Sequence, residues 1–255
     1  MQLAAESINA FQAEAVETLR GDSDSPLLLL CEHAGNTVPA PWKNLGLPAA
    51  MLETHYAYDP GVDGLTRALS QRLDAPAVLA RYSRIFVDYN RFDSDWDHMR
   101  PDLGGIPVPA NMAISDAERR LRRQIAVDPV DAAIAPLIPA RKAVVSVHSF
   151  TPVMGGLHRP VDIGILWRNE SPFVTDVLRE FSLRGAELGL RIGDNEPYDW
   201  RGVVAYSLQA HALDHGLPCF YLEVNNALFS NPETSSKVES LIGDVLEAVL
   251  AEQPA

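Results

Sequence analysis

The chain has 255 residues, of which 47% are hydrophobic and 22% are charged, a composition that fits a globular protein with a substantial core. Its net charge of −13 argues against nucleic acid and anionic membranes as partners, because an acidic surface repels phosphate groups. No apolar run is long enough to cross a bilayer. The N-terminal segment has acidic residues throughout residues 4–17, whereas a secretory signal has a basic stretch followed by an apolar core. We therefore expect a cytoplasmic protein with one domain over residues 1–255, while its oligomeric state stays open.

Segments with helical periodicity alternate with short apolar runs along the chain. Helices are predicted, in chain order, over residues 4–20, 62–73, 115–125, 129–140, 173–190 and 230–250. Strands are predicted over residues 26–31, 75–80, 84–88, 142–148, 162–167 and 218–224. Residues 92–111 are rich in Asp, Pro and Gly and are expected to form a long loop, a type of segment that often carries function.

This alternation predicts an α/β fold, a three-layer sandwich in which helices cover both faces of a mixed, mostly parallel central sheet. Open sheets of this kind bind their ligands beyond the carboxyl ends of the strands. Several polar residues of this chain follow an apolar run directly. We expect them to meet at that edge of the sheet.

Two histidines directly follow or end such runs: His33 comes after residues 27–31, and His148 after residues 143–147. Neutral imidazole is the commonest protein ligand for a cation such as zinc. Each histidine alone is better explained as a half-buried side chain that is hydrogen-bonded to backbone. The two together make a metal site an equal alternative.

Asp59 is the carboxylate that we expect to complete the ligand set, because two histidines and a carboxylate form many hydrolytic zinc sites. It precedes the predicted helix of residues 62–73, where it could instead serve as the helix cap. Glu32 is the rival ligand, although neighbouring residues of an extended chain point to opposite faces and would not normally reach one ion. Candidates for outer positions around the site are His55 and Asp63.

Glu223 follows the apolar run of residues 218–222, so its side chain is expected to be buried. A buried acid is either paired structurally or a catalytic base whose pKa is raised by apolar surroundings. Amide hydrolysis beside a metal needs such a base, because a carboxylate carries the proton of the attacking water to the leaving nitrogen. The sequence leaves both interpretations open.

Arginine and asparagine side chains offer binding groups for a small anionic substrate. Asn90 and Arg91 follow the predicted strand of residues 84–88, and an arginine can hold a carboxylate through two parallel hydrogen bonds. A surface salt bridge to the acids of residues 92–97 explains Arg91 equally well. Further candidates of this kind are Arg159 and Arg168, whereas Arg84 is a candidate catalytic residue. A solvated helix face is expected for Arg119, Arg120, Arg122 and Arg123.

The sequence motifs of other kinds of active site are absent from this chain. The chain has no glycine-rich phosphate loop, no Gly-x-Ser-x-Gly elbow and no Cys-x-x-Cys pair. Ser149 follows His148, but no sequence feature pairs it with an aspartate and a second histidine. Cys31 lies near His33 in an apolar run, where an inert buried thiol is expected.

Seven motifs, in this order, resemble those of the N-formylglutamate amidohydrolase (N-formylglutamate deformylase) family over most of the chain. They are Cys-Glu-His-Ala-Gly-Asn at 31–36, Tyr-Asp-Pro-Gly-Val-Asp-Gly-Leu at 58–65, Val-Asp-Tyr-Asn-Arg at 87–91, Val-His-Ser-Phe-Thr-Pro at 147–152, His-Arg-Pro-Val-Asp-Ile-Gly-Ile-Leu at 158–166, Asn-Glu-Pro-Tyr at 195–198 and Leu-Glu-Val-Asn-Asn at 222–226. This family is related to zinc carboxypeptidases, aspartoacylase and N-acetylmuramoyl-L-alanine amidases. The Asn-Arg pair is similar to the carboxylate clamp of the first two.

The resemblance implies a phosphorylase/hydrolase-like fold and a catalytic domain that uses Zn²⁺ or another divalent metal. The implied reaction is hydrolysis of N-formyl-L-glutamate, or of a related N-acyl acidic amino acid, to formate and glutamate, in the setting of histidine degradation. By resemblance, the metal ligands are His33, Asp59 and His148, Glu223 is the general base and acid, and Arg91 is the carboxylate clamp. Arg84 and Asn90 would support the oxyanion or the substrate carboxylates.

One departure concerns the carboxylate ligand. Carboxypeptidases have the pair His-x-x-Glu, whereas Asn36 stands at that distance from His33. Two alternatives to the implied reaction stay open: a related zinc amidase that acts on a peptide or peptidoglycan amide, and a non-catalytic small-anion binder with the same fold.

Overall fold

The computed structural model describes residues 3–202 and 205–252. The helices are α1 (Ala5–Glu14), α2 (Val62–Leu73), α3 (Asp116–Ile134), α4 (Pro172–Glu187), α5 (Tyr206–His211) and α6 (Pro232–Glu252). The strands are β1 (Val16–Leu19), β2 (Leu27–Cys31), β3 (Ala77–Ala80), β4 (Ala143–Phe150), β5 (Val153–Met154), β6 (Leu157–His158), β7 (Ile163–Leu166), β8 (Ile192–Asp194) and β9 (Cys219–Asn225). Over these residues, no helix has both the length and the apolar character that crossing a membrane requires.

The central sheet has the strand order β1-β3-β2-β4-β9-β7-β8. The strands β3, β2, β4 and β9 run parallel to one another, as do β7 and β8, whereas β1 is antiparallel to β3 and β7 is antiparallel to β9. The predicted mixed, mostly parallel sheet is therefore confirmed. The sequence does not predict β8 or the separate hairpin β5–β6, because strands of two or three residues give no periodic signal.

Alternating side chains of the strands enter two cores, one on each face of the sheet. In β2, Leu28 and Leu30 pack on the face covered by α1, α3 and α5, whereas Leu27 and Leu29 pack on the face covered by α2, α4 and α6. A strand that is buried on both faces has a continuous apolar sequence, which is why β2 shows no polar alternation. The predicted three-layer sandwich is confirmed.

The N-terminal segment differs from the helix predicted over residues 4–20. Helix α1 ends at Glu14, and residues 16–19 form the edge strand β1 against β3. The chain turns at Ala15, which is fully buried and accepts a hydrogen bond from the backbone N–H of Arg81 at 2.9 Å. Pairing with the sheet edge therefore overrides the local helical pattern after Glu14.

Residues 84–86 form a turn and residues 87 and 88 have no regular secondary structure, so the strand predicted over residues 84–88 is wrong. The hydroxyl oxygen of Ser83 accepts from the backbone N–H of Ile85 at 3.2 Å, and its carbonyl oxygen accepts from that of Phe86 at 2.9 Å. The apolar side chains of Ile85, Phe86 and Val87 are fully buried, which explains why the segment resembles a core strand. Local hydrogen bonds to a serine satisfy its backbone instead of a sheet ladder.

Helix α3 is one helix where the sequence indicates two. The Ser115 half of the predicted capping box is confirmed, because its side chain accepts from the backbone N–H of Glu118, whereas the Glu118 carboxylate accepts from Trp42 and Arg122. The helix then continues through Pro129, which removes one backbone donor. Val127 and Val130 on either side are buried in the core, and this packing maintains the helix across the proline.

Arg122 is buried, in contrast to the solvated position expected for it. Its guanidinium donates to Asn111 Oδ1 at 2.6 Å and to Glu118 Oε1 at 3.2 Å. The Nδ2 atom of Asn111 in turn donates to the carbonyl oxygen of Arg100 at 3.0 Å. A buried, hydrogen-bonded ion pair therefore anchors the far end of the long loop over residues 92–111.

Gly35 allows the chain to pass close to the end of β3 just after His33. A Cβ atom at this position would overlap the backbone carbonyl oxygen of Arg81. We expect Gly35→Ala to lower the free energy of unfolding by about 1–3 kcal/mol, because backbone has to move to admit the methyl group. The control is Gly64→Ala within α2, where a Cβ meets nothing within 4 Å and should stabilise by up to ~1 kcal/mol. Equal stabilities of the two variants in urea denaturation would contradict this role for Gly35.

Candidate metal centre and active site

The candidate site lies at the carboxyl edge of the sheet, where the sequence pattern predicts it. His33 follows β2 by two residues, and His148 and Glu223 are register partners near the ends of β4 and β9. Asp59 comes from the turn before α2, where its backbone N–H donates to the carbonyl oxygen of His33 at 3.0 Å. Residues that are far apart in the sequence therefore converge at one point.

His33, Asp59 and His148 form a buried cluster, here called the triad, in which one ligand atom from each residue lies within 4.8 Å of the others. Asp59 Oδ2 lies 3.0 Å from His148 Nδ1 and 3.4 Å from His33 Nδ1. Two imidazole nitrogens and one carboxylate oxygen are a donor set of hydrolytic zinc sites. The triad could therefore bind a metal ion.

The far ring nitrogen of each triad histidine is held by a carboxylate, directly in His33 and together with a serine in His148. His33 Nε2 donates to Asp88 Oδ1 at 2.8 Å. His148 Nε2 lies 2.9 Å from Ser146 Oγ, whose hydroxyl donates to Glu32 Oε2 at 2.6 Å, and 3.2 Å from Glu32 Oε2 itself. Metal-binding histidines usually make such a bond with their second nitrogen, because it fixes the tautomer and the orientation of the ring. In both histidines, Nδ1 is the nitrogen on the side of Asp59.

The chemistry of His33 Nδ1 fits a cation. This atom is buried and has no hydrogen-bond partner among the described residues. Because Nε2 carries the proton that is donated to Asp88, Nδ1 presents a lone pair, and its 3.4 Å approach to Asp59 is not a hydrogen bond. A buried polar atom without a partner is destabilising unless a further group satisfies it. A divalent cation would do so.

Two buried carboxylates of the site have pKa values shifted in opposite directions. Burial raises the pKa of Glu223 to about 7, and its Oε2 atom has no hydrogen-bond partner among the described residues. Burial also opposes ionisation of Asp59, but the adjacent histidines and Arg84 hold the pKa of Asp59 below its ordinary value. Such a pair supplies one permanent anion and one group that can exchange a proton near neutral pH.

A cavity of about 450 Å³ adjoins the triad and Glu223, a size that suits a small molecule. Its wall includes His55, Arg84, Asn90, Arg91, Arg100 and Tyr198. The lining therefore combines the candidate metal ligands with a group of cationic and polar side chains, as the binding of a small anion requires.

Arg84 and Arg91 lie on the cavity wall but are already salt-bridged. Arg84 donates to Asp88 Oδ2 at 2.7 Å and to Asp59 Oδ1 at 3.3 Å. Arg91 Nε donates to Asp97 Oδ2 at 2.9 Å. The salt bridge that the sequence offers as an alternative role for Arg91 is therefore present, together with its place on the cavity wall.

Asn90 lines the cavity with its side-chain oxygen engaged inside the protein. Oδ1 accepts from the backbone N–H of Ser207 at 3.0 Å and from the hydroxyl of Tyr221 at 2.9 Å. This carbonyl oxygen is therefore held in place by two donors. The amide group consequently has a fixed orientation in the wall.

The structure does not bring Arg159 and Arg168 into the part of the cavity lining that it describes. Arg159 donates to the hydroxyl of Tyr198 at 2.8 Å, and Tyr198 does line the cavity. Arg168 donates to Gln209 Oε1 at 3.1 Å and lies 5.7 Å from the ring centre of Trp200. Arg159 therefore lies at the edge of the cavity, whereas Arg168 contacts the residues that form its wall.

Two expectations about the carboxylates near the triad need correction or refinement. Asp59 does not cap α2, because Gly61 occupies the N-cap position and the Asp59 side chain contacts the histidines. Glu32, the rival ligand, is not part of the cluster of ligand atoms and instead contacts the far nitrogen of His148. It therefore occupies the outer position in which a carboxylate orients a histidine.

The two residues considered for outer positions differ in where they lie. His55 lines the cavity. Asp63 pairs with Arg67 and Arg81 at 3.0 and 2.5 Å, so its carboxylate stabilises the packing of α2 and not the triad. The expectation of an outer role at the site is wrong for Asp63.

The alternative nucleophiles are held in unreactive settings. Burial raises the pKa of the Cys31 thiol well above its ordinary value, which disfavours the thiolate that a cysteine amidase needs. Ser149 donates its hydroxyl proton to the carbonyl oxygen of Pro60 at 2.9 Å and not to a histidine. Neither residue has the base that nucleophilic catalysis requires.

Asp88 is a site residue to which the sequence pattern assigns no role. Its carboxylate accepts from His33, from Arg84 and from the backbone N–H of Asn90, the last at 3.0 Å. It thereby connects a candidate metal ligand to the cationic wall of the cavity. The available signal is its place in the Val-Asp-Tyr-Asn-Arg motif, where an acid stands between two apolar residues.

The sequence model of the N-formylglutamate amidohydrolase family matches residues 25–230, a span that contains the triad, Glu223 and the arginines of the cavity wall. The chain belongs to this family. As a member of the N-formylglutamate amidohydrolase family, it is an amide hydrolase. No curated protein matches the chain.

The chain is similar to several solved structures. The gene product Atu2144 from Agrobacterium tumefaciens is 31% identical, with a TM-score of 0.87 over 94% of this chain and 96% of that one. A bacteriophage poly-gamma-glutamate hydrolase is 10% identical, with a TM-score of 0.44 over 93% and 89% of the two chains. The catalytic domain of CwlV, an N-acetylmuramoyl-L-alanine amidase from Bacillus (Paenibacillus) polymyxa var. colistinus, is 11% identical, with a TM-score of 0.41 over 89% and 99%. The similarity to the Agrobacterium protein confirms the fold.

Asp88→Asn tests whether this carboxylate positions a metal ligand. The variant keeps the size of the side chain but loses the charge that orients His33, so we expect the affinity for Zn²⁺ to fall about 10- to 100-fold. Titration against a competing chelator measures the affinity. The matched control is Asp63→Asn, which removes an acid from the nearby α2 without touching the triad and should leave the affinity unchanged. Equal losses in the two variants would contradict the assignment.

Proposed function

We propose that this protein catalyses the metal-dependent hydrolysis of N-formyl-L-glutamate, or of a related N-acyl acidic amino acid, to formate and glutamate. The observation that carries the proposal is the position of Glu223 beside the triad, in a cavity of small-molecule size with arginines on its wall. Membership of the family supports the linear amide and the formyl group. The arginines support an anionic substrate.

His33, Asp59 and His148 are the proposed ligands of a divalent cation, with Zn²⁺ the first choice for two imidazoles and one carboxylate. When bound, the cation supplies Lewis acidity, which polarises the amide carbonyl and lowers the pKa of water. Asp88 holds the imidazole of His33 through Nε2, and Ser146 with Glu32 holds that of His148, so that both Nδ1 atoms keep their orientation.

Glu223 is the proposed general base and acid. Its ionised carboxylate takes a proton from the attacking water, for which Oε2 is suited because that oxygen has no partner among the described residues. It then returns the proton to the amine nitrogen as the C–N bond breaks, so that the amine leaves as a neutral group. A pKa of about 7, raised by burial, allows one carboxyl group to perform both transfers near neutral pH.

The cationic side chains of the cavity wall are proposed to bind the negatively charged groups of the substrate. Arg84, which is anchored by Asp88, is proposed to stabilise the oxyanion that develops at the carbonyl carbon. Arg91 and Asn90 are proposed to bind the carboxylate next to the scissile amide. Holding this carboxylate fixes the amide relative to Glu223, which lowers the entropic part of the barrier.

Glu223→Gln should retain the metal and lose most of its turnover. The amide is nearly isosteric with the carboxyl group but cannot accept the proton of water, so formate release should fall at least ~100-fold. The control is Glu233→Gln, at the exposed start of α6, where the glutamate pairs only with Lys237 among the described residues. Near-normal turnover in Glu223→Gln would remove this residue from its proposed role.

Metal removal tests the proposed cofactor and separates the three alternatives. Chelation should abolish formate release from N-formyl-L-glutamate, Zn²⁺ should restore it, and metal binding should raise the melting temperature. His148→Ala should lose both responses, whereas His215→Ala, at the exposed end of a short 3₁₀ helix, should keep them. Activity on a peptide or peptidoglycan amide alone would favour the related amidase, and binding of small anions without any hydrolysis would favour the non-catalytic binder.

A further inference from the structure

Arginines on the cavity wall differ in whether a carboxylate of the chain already neutralises them. Arg84 and Arg91 have carboxylate partners at 2.7 and 2.9 Å. Arg100 also lines the cavity, and over residues 3–202 and 205–252 no carboxylate pairs with its guanidinium. Arg100 is therefore a cavity cation whose charge is available to a ligand.

The position of Arg100 is fixed by contacts that do not use the ends of its guanidinium. Its Nε donates to the carbonyl oxygen of Asp102 at 2.8 Å, and its own carbonyl oxygen accepts from Asn111, which is bonded to the buried Arg122. The guanidinium lies 5.8 Å from the ring centre of Trp96. Among the described residues, these contacts leave the two terminal nitrogens for another partner. A fork that is held in this way loses little freedom on binding.

Charge and chemistry indicate what that partner is. A substrate carboxylate at Arg84 or Arg91 has to share the guanidinium with an acid of the chain, whereas at Arg100 no carboxylate of the described residues competes with it. Arginine holds a carboxylate through two parallel hydrogen bonds, which give direction as well as charge. An N-acyl acidic amino acid has two carboxylates, one beside the amide and one at the end of the side chain. Arg84 contacts the triad through Asp59, but Arg100 has no such contact among the described residues, so it suits the remote end.

We propose that Arg100 binds the side-chain carboxylate of the substrate and determines the preference for acidic over neutral N-acyl amino acids. This inference rests on the proposed function for the class of substrate. Recognition by Arg100 is a property of binding, however, and can be measured apart from hydrolysis.

The test compares N-formyl-L-glutamate with N-formyl-L-glutamine, which is almost the same size but has no charge at the end of its side chain. We expect Arg100→Gln to raise the Kd and the KM for N-formyl-L-glutamate about 10- to 100-fold, the loss typical of a hydrogen bond to a charged group. The kcat and the values for N-formyl-L-glutamine should stay unchanged. Arg100→Lys keeps the charge without the fork and should recover part of the affinity for the glutamate compound alone.

Two controls separate recognition from general effects. Arg120→Gln makes the same change of net charge at an exposed position of α3 and should leave both compounds unaffected. The melting temperature of Arg100→Gln shows whether the substitution destabilises the loop of residues 92–111, because this variant loses the hydrogen bond to Asp102. Calorimetric titrations use the Glu223→Gln background, so that the substrate is not consumed during the measurement.

The possible outcomes distinguish failure of the proposed function from failure of the inference about Arg100. If Arg100→Gln weakens binding of the glutamate compound but the wild-type protein releases no formate, the proposed function is wrong and recognition by Arg100 is supported. If Arg100→Gln binds both compounds as the wild type does, or weakens both equally, the inference about Arg100 is overturned even where hydrolysis is normal. If the wild-type protein binds neither compound, both proposals are overturned.

Discussion

Asp59 is an ionised carboxylate that is almost completely buried, and the groups that compensate its charge organise the site. Burial of an unpaired charge is strongly destabilising, so the fold has to provide partners for it. His148 and Arg84 lie 3.0 and 3.3 Å from its oxygens, and the backbone N–H of Ser149 donates to it at 3.3 Å. These partners come from the end of β4 and from the turn after β3, which must therefore meet at the turn before α2.

Further anions surround these partners of Asp59. Asp88 accepts from both His33 and Arg84, and Glu32 contacts His148. Carboxylates thus alternate with imidazole and guanidinium groups outward from Asp59, and the loss of any one member leaves a buried polar or charged group without its partner. Glu223 adjoins this network without a hydrogen-bond partner for Oε2 among the described residues, and its raised pKa follows from that difference in surroundings.

Much of the fold and the centre of the site follow from the sequence because buried parallel strands have continuous apolar sequences. The polar residues His33, His148 and Glu223 are easily recognised because they lie within or just after the apolar sequences of β2, β4 and β9. Since these strands run parallel, all three residues lie at the same edge of the sheet. Helix α2 is predictable for a similar reason, since its apolar residues recur at helical spacing over Val62–Leu73.

The remaining features depend on contacts between distant segments, which local patterns do not contain. Arg122 looks like a surface residue of α3 until Asn111 and Glu118 are placed beside it. Residues 84–88 look like a strand because the core buries them, whether or not a ladder forms. Arg100 differs from Arg91 in that no carboxylate pairs with it among the described residues, a property of the assembled cavity.

The pairing of β4 with β9 has a consequence for how chemistry of this kind could arise elsewhere. His148 and Glu223 are direct neighbours across a parallel ladder, so their separation is set by the interstrand spacing of about 4.8 Å that all sheets share. Because side chains alternate between the faces of a strand, a single inserted residue in either strand would turn one of the two to the opposite side. An imidazole and an acid can therefore be held at a working distance by backbone geometry alone, without any loop to adjust them.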